Sequence, residues 1–241
     1  MYSLTDIPSG FRKKTFLYLS VIMVIAYALV AAFWYKLPYQ LNNSIFRDMS
    51  SNWARYDAEW MFNQGYMKGL DEGGFYPDRS ITRAEMTMLF LRIVEGTTKA
   101  NALYNVHVQT PYPDVPAAYW ASDAINRADA LHLGLFADVK PGSNFYPNKP
   151  VTRIEMVEAI NKYFKLPLAA TPANFTDLQG VSLAERRGLE TMVEHGYIDG
   201  YPGSTLFKPN DPINRASAAH VLTLALKDQL ANQQKNAGGV K

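Results

Sequence analysis

A block of about fifty residues occurs three times in this chain, and that periodicity constrains the fold more than any other feature. The copies span residues 46–96, 112–165 and 175–228 and keep one order of landmarks. Each opens with an aromatic residue, a spacer and an aspartate: Phe46-Arg47-Asp48, Tyr112-Pro113-Asp114 and Phe175-Thr176-Asp177. Trp53-Ala54 and Trp120-Ala121 follow, and Leu183-Ala184 stands in their place in the third copy. A helical stretch then ends at Gly65, Gly134 or Gly196, because glycine suits the left-handed position that closes a helix.

A turn-rich loop comes next, and after it a phenylalanine and a proline lie at fixed distances before an arginine. These are Phe75 and Pro77 before Arg83, Phe145 and Pro147 before Arg153, and Phe207 and Pro209 before Arg215. The arginine opens a second helix whose apolar residues share one face of a 3.6-residue period. They are Met86, Phe90, Ile93 and Val94; Met156, Ile160, Tyr163 and Phe164; Ala218, Leu222, Ala225 and Leu226. A single helix pair cannot bury such a face alone, so the three units are expected to share one core.

The helix starts read Thr82-Arg83-Ala84-Glu85, Thr152-Arg153-Ile154-Glu155 and Asn214-Arg215-Ala216-Ser217. In the first two, Thr and Glu form a capping box: Thr82 or Thr152 accepts from a backbone amide, and Glu85 or Glu155 reaches back to the cap residue. Asn214 can cap the third helix, but Ser217 is too short to return the contact, which weakens that start by under ~1 kcal/mol. Capping does not explain the arginine. A cation in the first helical turn is disfavoured by roughly 0.3–1 kcal/mol. One reading gives Arg83, Arg153 and Arg215 internal partners: the repeat-opening Asp48, Asp114 or Asp177, or a loop carbonyl. The other joins the guanidinium, the exposed helix amides and a glycine-bearing loop into an anion site.

These motifs resemble the S-layer homology domain, marked by a Phe-x-Asp opening, Trp-Ala, a Gly-rich loop with F-x-P, and Thr-Arg-Ala-Glu. The resemblance covers about three quarters of the chain. It is specific in the first two copies and degenerate in the third, which lacks the Trp and the Glu. It implies a mainly α fold: a pseudo-three-fold spindle with a central three-helix bundle and three prongs of helices and loops. It also implies capture of a cell-wall glycan, pyruvylated in the usual case, in grooves between neighbouring repeats. Arg83, Arg153 and Arg215 would then take a sugar carboxylate. Trp53 and Trp120 would stack on the pyranose, and the loops around Gly74, Gly142 and Gly203 would line the grooves.

One further segment sets location. Phe16 to Tyr35 is apolar except for Ser20, and a helix of that length is roughly 30 Å long, the thickness of a bilayer's hydrocarbon core. Arg12, Lys13 and Lys14 precede it, so the positive-inside bias places residues 1–15 in the cytoplasm and everything beyond residue 36 outside. Val30-Ala31-Ala32 loosely resembles a signal-peptide cleavage site, but the apolar run exceeds the usual length of a signal core, which favours a single-pass transmembrane anchor at 16–35. The linker, residues 36–45, reaches at most about 35 Å. Residues 229–241 read as a flexible tail.

Near-balanced charge, 24 Lys plus Arg against 22 Asp plus Glu, argues against a nucleic-acid partner. Cysteine is absent, and His107, His132, His195 and His220 are scattered without metal-ligand spacing. No nucleophile-elbow, P-loop or dinucleotide motif occurs. The chain therefore reads as a non-enzyme without cofactor or metal. Two roles fit: a tether between membrane and anionic wall glycan, or a single-pass subunit of a larger membrane complex, with its repeats docked on the extracytoplasmic face beside other transmembrane subunits.

Overall fold

The computed structural model describes residues 23–27, 30, 44–71, 73–102 and 107–238, and the chain divides into two units, Met1–Ser44 and Ile45–Lys241. In the first unit residues 23–27 and 30 are helical and exposed. The remainder of the predicted transmembrane segment at 16–35, the cytoplasmic N-terminus at 1–15 and most of the linker lie outside the described residues. Among the described residues no helix is long and apolar enough to cross a membrane.

The second unit is mainly helical, and its described residues include no strand. Its helices are α1 (Arg55–Asn63), α2 (Arg83–Glu95), a short α3 (Thr97–Ala102), α4 (Ser122–Ala130), α5 (Arg153–Phe164), α6 (Leu183–Glu194) and α7 (Arg215–Gly238). Each repeat thus supplies one helix pair: α1 with α2, α4 with α5, α6 with α7. The packing crosses repeat boundaries. The first helix of each repeat lies on the second helix of the repeat before it: α4 on α2, α6 on α5, and α1 on α7, which joins the first repeat to the last. The buried apolar residues of the three repeats join in one continuous core.

The loops before α2, α5 and α7 close a second ring. Ile81 N–H donates to the Ile213 carbonyl (3.2 Å), Ile213 to Val151 (2.8 Å) and Val151 to Ile81 (2.9 Å). Isolated antiparallel bridges join Ser80 with Asn214, Thr82 with Pro150 and Thr152 with Pro212. The side chains of Ile81, Val151 and Ile213 are buried at this junction.

Local chemistry sets the element ends. The capping boxes predicted at Thr82–Glu85 and Thr152–Glu155 are both complete, and Asn214 accepts from Ser217 N–H at 2.9 Å. Gly65 and Gly196 follow their helices with φ of +75° and +69°. In the second copy His132 takes the left-handed conformation after α4 (φ +53°), and Gly134 comes two residues later. α7 continues to residue 238, through part of the segment predicted as a flexible tail from 229. Its run of Ala, Gln, Lys and Asn lacks a Gly or Pro until residue 238, so the helix propagates without tertiary cover, and residues 231–235 are exposed.

Asp48, Asp114 and Asp177 do not pair with the motif arginines. Each carboxylate accepts from two successive backbone amides of the Phe-x-Pro segment: Phe75 and Tyr76 (2.8 and 2.6 Å), Phe145 and Tyr146 (both 2.7 Å), Phe207 and Lys208 (2.9 and 2.7 Å). Tyr76, Tyr146 and Lys208 stand at φ of +56°, +57° and +56°, a region uncommon for residues other than glycine. Two charge-assisted hydrogen bonds per turn hold that strained conformation.

Candidate functional site

The three arginines begin helices at the inter-repeat junctions and point into the neighbouring repeat. Arg83 Nη1 donates to the Phe145 carbonyl (3.2 Å), Arg153 Nε to Phe207 (2.9 Å) and Arg215 Nε to Phe75 (2.7 Å). Each guanidinium also lies over an aromatic ring of that repeat: Phe136 at 4.6 Å, Phe207 at 4.5 Å and Phe75 at 4.6 Å. The loop-carbonyl reading of these residues therefore holds for all three, and the aspartate pairing does not.

The helix-start amides are not open to a ligand. Arg83 and Ala84 N–H donate to the carbonyls of Lys149 and Pro147, Arg153 and Ile154 to Asp211 and Pro209, and Arg215 and Ala216 to Arg79 and Pro77. The third amide of each helix goes to its own cap residue, Thr82, Thr152 or Asn214. The predicted anion site built on exposed amides is thus filled by the ring that joins the repeats, and only the guanidinium groups remain for an anion.

In this respect the three arginines differ. Arg153 Nη2 donates to the Asp199 carbonyl and Arg215 Nη2 to the Lys68 carbonyl, both at 2.7 Å. Among the described residues neither has a carboxylate partner, and Nη1 of each makes no hydrogen bond. Burial, opposed by more distant carboxylates and reinforced at Arg215 by the like charges of Arg79 and Arg92, pushes Arg153 below the ordinary arginine value and Arg215 down to about 10. Each is a buried guanidinium with no carboxylate within hydrogen-bond reach among the described residues. Arg83 is fully buried, yet its Nη2 meets Asp138 (2.7 and 2.8 Å) and Glu155 (2.6 Å). Burial would lower it too, but those two carboxylates outweigh burial and hold it above the ordinary value.

Two open grooves contain the carboxylate-free arginines, and three repeats contribute to each. One, about 510 Å³, combines Arg153 from the second repeat, residues 196–202 with Ser217 and His220 from the third, and Trp53 from the first. The other, about 380 Å³, combines Arg215 from the third repeat, residues 66–70 with Glu85, Met88 and Arg92 from the first, and Trp120 from the second. Trp53 is 62% exposed and meets the His220 ring edge-on at 5.2 Å. Trp120 is half-buried and lies against Tyr119 at 5.8 Å. Each predicted tryptophan therefore lines the same groove as an arginine from another repeat.

Gly74, Gly142 and Gly203 do not line these cavities. Gly74 lies beneath the Tyr76 ring, which a Cβ would meet at 2.6 Å, and Gly142 (φ +88°) and Gly203 (φ +71°) are turn residues. The groove walls come from the segments just before them. The repeat motifs single out neither Asp138 nor Tyr201, give His220 only as a histidine without metal-ligand spacing, and pass over the Ser182–Glu185 capping box that starts α6. The last was legible as Ser-x-x-Glu; the others carry no repeating pattern.

The chain belongs to the S-layer homology domain family, which matches residues 45–87, 111–157 and 174–219, one stretch for each repeat. It is 30% identical over 176 residues to Cell surface glycoprotein 1 of Acetivibrio thermocellus, covering 68% of this chain and 7% of that protein. It is 30% identical over 168 residues to the Cellulosome-anchoring protein of the same bacterium, covering 67% of this chain and 35% of the relative. Against the Surface-layer 125 kDa protein of Lysinibacillus sphaericus it is 28% identical over 180 residues, 74% of this chain and 14% of the relative. The match spans about a third or less of each relative's length, so the likeness is one of repeats.

Proposed function

We propose that this protein binds an anionic cell-wall or cell-surface glycan non-covalently through its repeats and tethers it to the cytoplasmic membrane. The observation that carries the reading is the pairing, in two separate grooves, of a buried arginine without a carboxylate and a tryptophan from another repeat. A carboxylate-bearing sugar supplies an anion for the guanidinium and an apolar pyranose face on which the indole can stack. The relatives named for the cell surface and for cellulosome anchoring agree with a binding module. No step in this reading needs catalysis, a metal or a cofactor. The two rings that join the repeats support the pseudo-three-fold spindle expected of the family.

The apolar segment at 16–35 serves in this reading as a single-pass anchor, with residues 1–15 inside and the repeats on the extracytoplasmic side. The linker at 36–45, at most about 35 Å when extended, keeps the repeats near the bilayer. That short leash also fits the second reading, a subunit whose repeats dock on a larger membrane complex. Sedimentation with purified wall sacculi separates the two. The tether predicts that the protein co-sediments and is released when the wall glycan is stripped. A protein that ignores sacculi and migrates in a large assembly after mild detergent extraction is a complex subunit.

A further inference from the structure

We propose that Asp138, with Glu155, closes the inter-repeat groove at Arg83 to anionic glycan, so that ligand is taken only at the Arg153 and Arg215 grooves. This rests on the glycan reading above and deepens it.

Counted from Gly65, Gly134 and Gly196, the fourth residue on is Gly69, Asp138 and Gly200. In the first and third copies there is little room for a side chain there. A Cβ on Gly69 would lie 3.1 Å from Phe46 and 3.2 Å from the Gly74 carbonyl, and one on Gly200 would lie 2.7 Å from Phe175 and 2.8 Å from the Leu206 carbonyl. The second copy carries a carboxylate at this position, and it lands on the arginine. The Asp138 side chain is 54% exposed while that of Arg83 is wholly buried, so Asp138 lies between the guanidinium and solvent, where a ligand carboxylate would have to arrive.

The glutamate of the helix-start motif adds to the closure. Glu155 lies 2.6 Å from Arg83 Nη2. Its counterpart Glu85 is drawn to Arg79, and the third counterpart is Ser217, which has no charge to offer. Lys149, 3.4 Å from Glu155 and 3.9 Å from Asp138, completes a set of two cations and two anions that needs no outside ion.

The rest of the groove has diverged in the same sense. The cavity there, about 250 Å³, does not reach Arg83, and its wall includes Glu158 and Glu185. Burial first, then the like charges of Glu185 and Glu155, push the Glu158 carboxyl above its ordinary value against the opposing pull of Lys162, which lines the same cavity. The tryptophan is missing as well. Each open groove borrows its indole from another repeat, and the third repeat, which faces this groove, carries Leu183 at that position. The loss of Trp in the third copy and the gain of Asp in the second therefore fall on one groove.

The test compares the wild-type full chain in detergent with Asp138→Gly/Glu155→Ser, which writes the third copy's residues into the second. The probe is a synthetic pyruvate-ketal hexosamine methyl glycoside, with bound copies counted by native mass spectrometry. The variant is expected to bind one more copy per chain than the wild type. A wild-type count of three, or the same non-zero count in both, overturns the proposal. Binding by neither protein fails the glycan reading, and phenylglyoxal mapping of the same samples then decides the closure by itself. Closure predicts that Arg153 and Arg215 react in the wild type while Arg83 reacts only in the variant. A reactive wild-type Arg83, or one still protected in the variant, overturns it. If the double variant does not fold by circular dichroism, Asp138→Asn takes its place, with Arg83 expected to react faster than in the wild type and an unchanged rate overturning the proposal.

Discussion

Arg215 and Phe75 stand 140 positions apart, yet Arg215 Nε donates to the Phe75 carbonyl at 2.7 Å and the guanidinium lies over the Phe75 ring at 4.6 Å. This contact ties the last repeat to the first and completes a cycle that Arg83–Phe145 and Arg153–Phe207 begin. The residue that the family pattern offers as a ligand contact is thus also a structural clasp. Arginine can serve both roles because its five N–H donors exceed what two carbonyls consume.

Arg215→Met should therefore cost stability whether or not ligand is present. The carbonyls of Phe75 and Lys68 lose their donors, which costs about 2–4 kcal/mol. Urea unfolding of Ile45–Lys241, followed by far-UV circular dichroism, should show a lower midpoint with one transition, because the repeats share a core.

Asp114 holds the left-handed turn at Tyr146 through two amides, so its loss should be felt at once. Asp114→Ala leaves both N–H groups unpaired and should destabilise by about 2–3 kcal/mol, whereas Asp114→Asn, which keeps one acceptor oxygen, should cost about half as much. Differential scanning calorimetry of the two variants gives the order directly.

Acid should loosen the contact between the first and second repeats that Glu95 makes with Arg127. Glu95 at the end of α2 accepts from Arg127 on α4 and from Lys99, and these bonds, Arg127 foremost, lower its carboxyl from the ordinary 4.5 to about 2. The folded state binds this proton more weakly than the unfolded chain does. The stabilisation is therefore present in full above about pH 4.5 and disappears as pH falls from there toward about 2. Glu95→Gln should melt below the wild type at neutral pH, and the gap should narrow across that window.

Ser217→Glu should separate fold from function. A glutamate there can complete the capping box that Asn214 now serves alone, with a gain below ~1 kcal/mol. Ser217 also lines the Arg153 groove, so the new carboxylate can reach that guanidinium as Glu155 reaches Arg83. The variant should melt slightly higher and retain less glycan in that groove. Thermal melts and sacculus co-sedimentation, run on one preparation, check both halves.

The sequence revealed the fold most clearly where the determining chemistry is local. Thr82–Glu85, Thr152–Glu155 and Asn214 cap their helices because capping needs only residues within one turn. The apolar faces were legible too, although Ile93, Val94, Tyr163 and Phe164 are only half-buried while their third-repeat counterparts Ala225 and Leu226 are buried. What escaped was long-range. Nothing in the neighbourhood of Arg83 marks the Phe145 carbonyl as its acceptor, and a backbone acceptor has no residue type to recognise. The packing of α1 on α7 is equally silent, since every repeat would read the same if its own helices paired. Asp138 sits between landmarks, and its importance appears only beside Gly69 and Gly200 in space.

The most direct measurement follows the side-chain N–H signals of the indoles in Ile45–Lys241 while glycan released from wall sacculi is added. Trp53 and Trp120 should shift with a common saturation, together with backbone signals from residues 66–70 and 196–202, while Trp60, which borders neither open groove, stays in place. No response at Trp53 and Trp120, or a response confined to surfaces away from Arg153 and Arg215, would contradict glycan capture in these grooves.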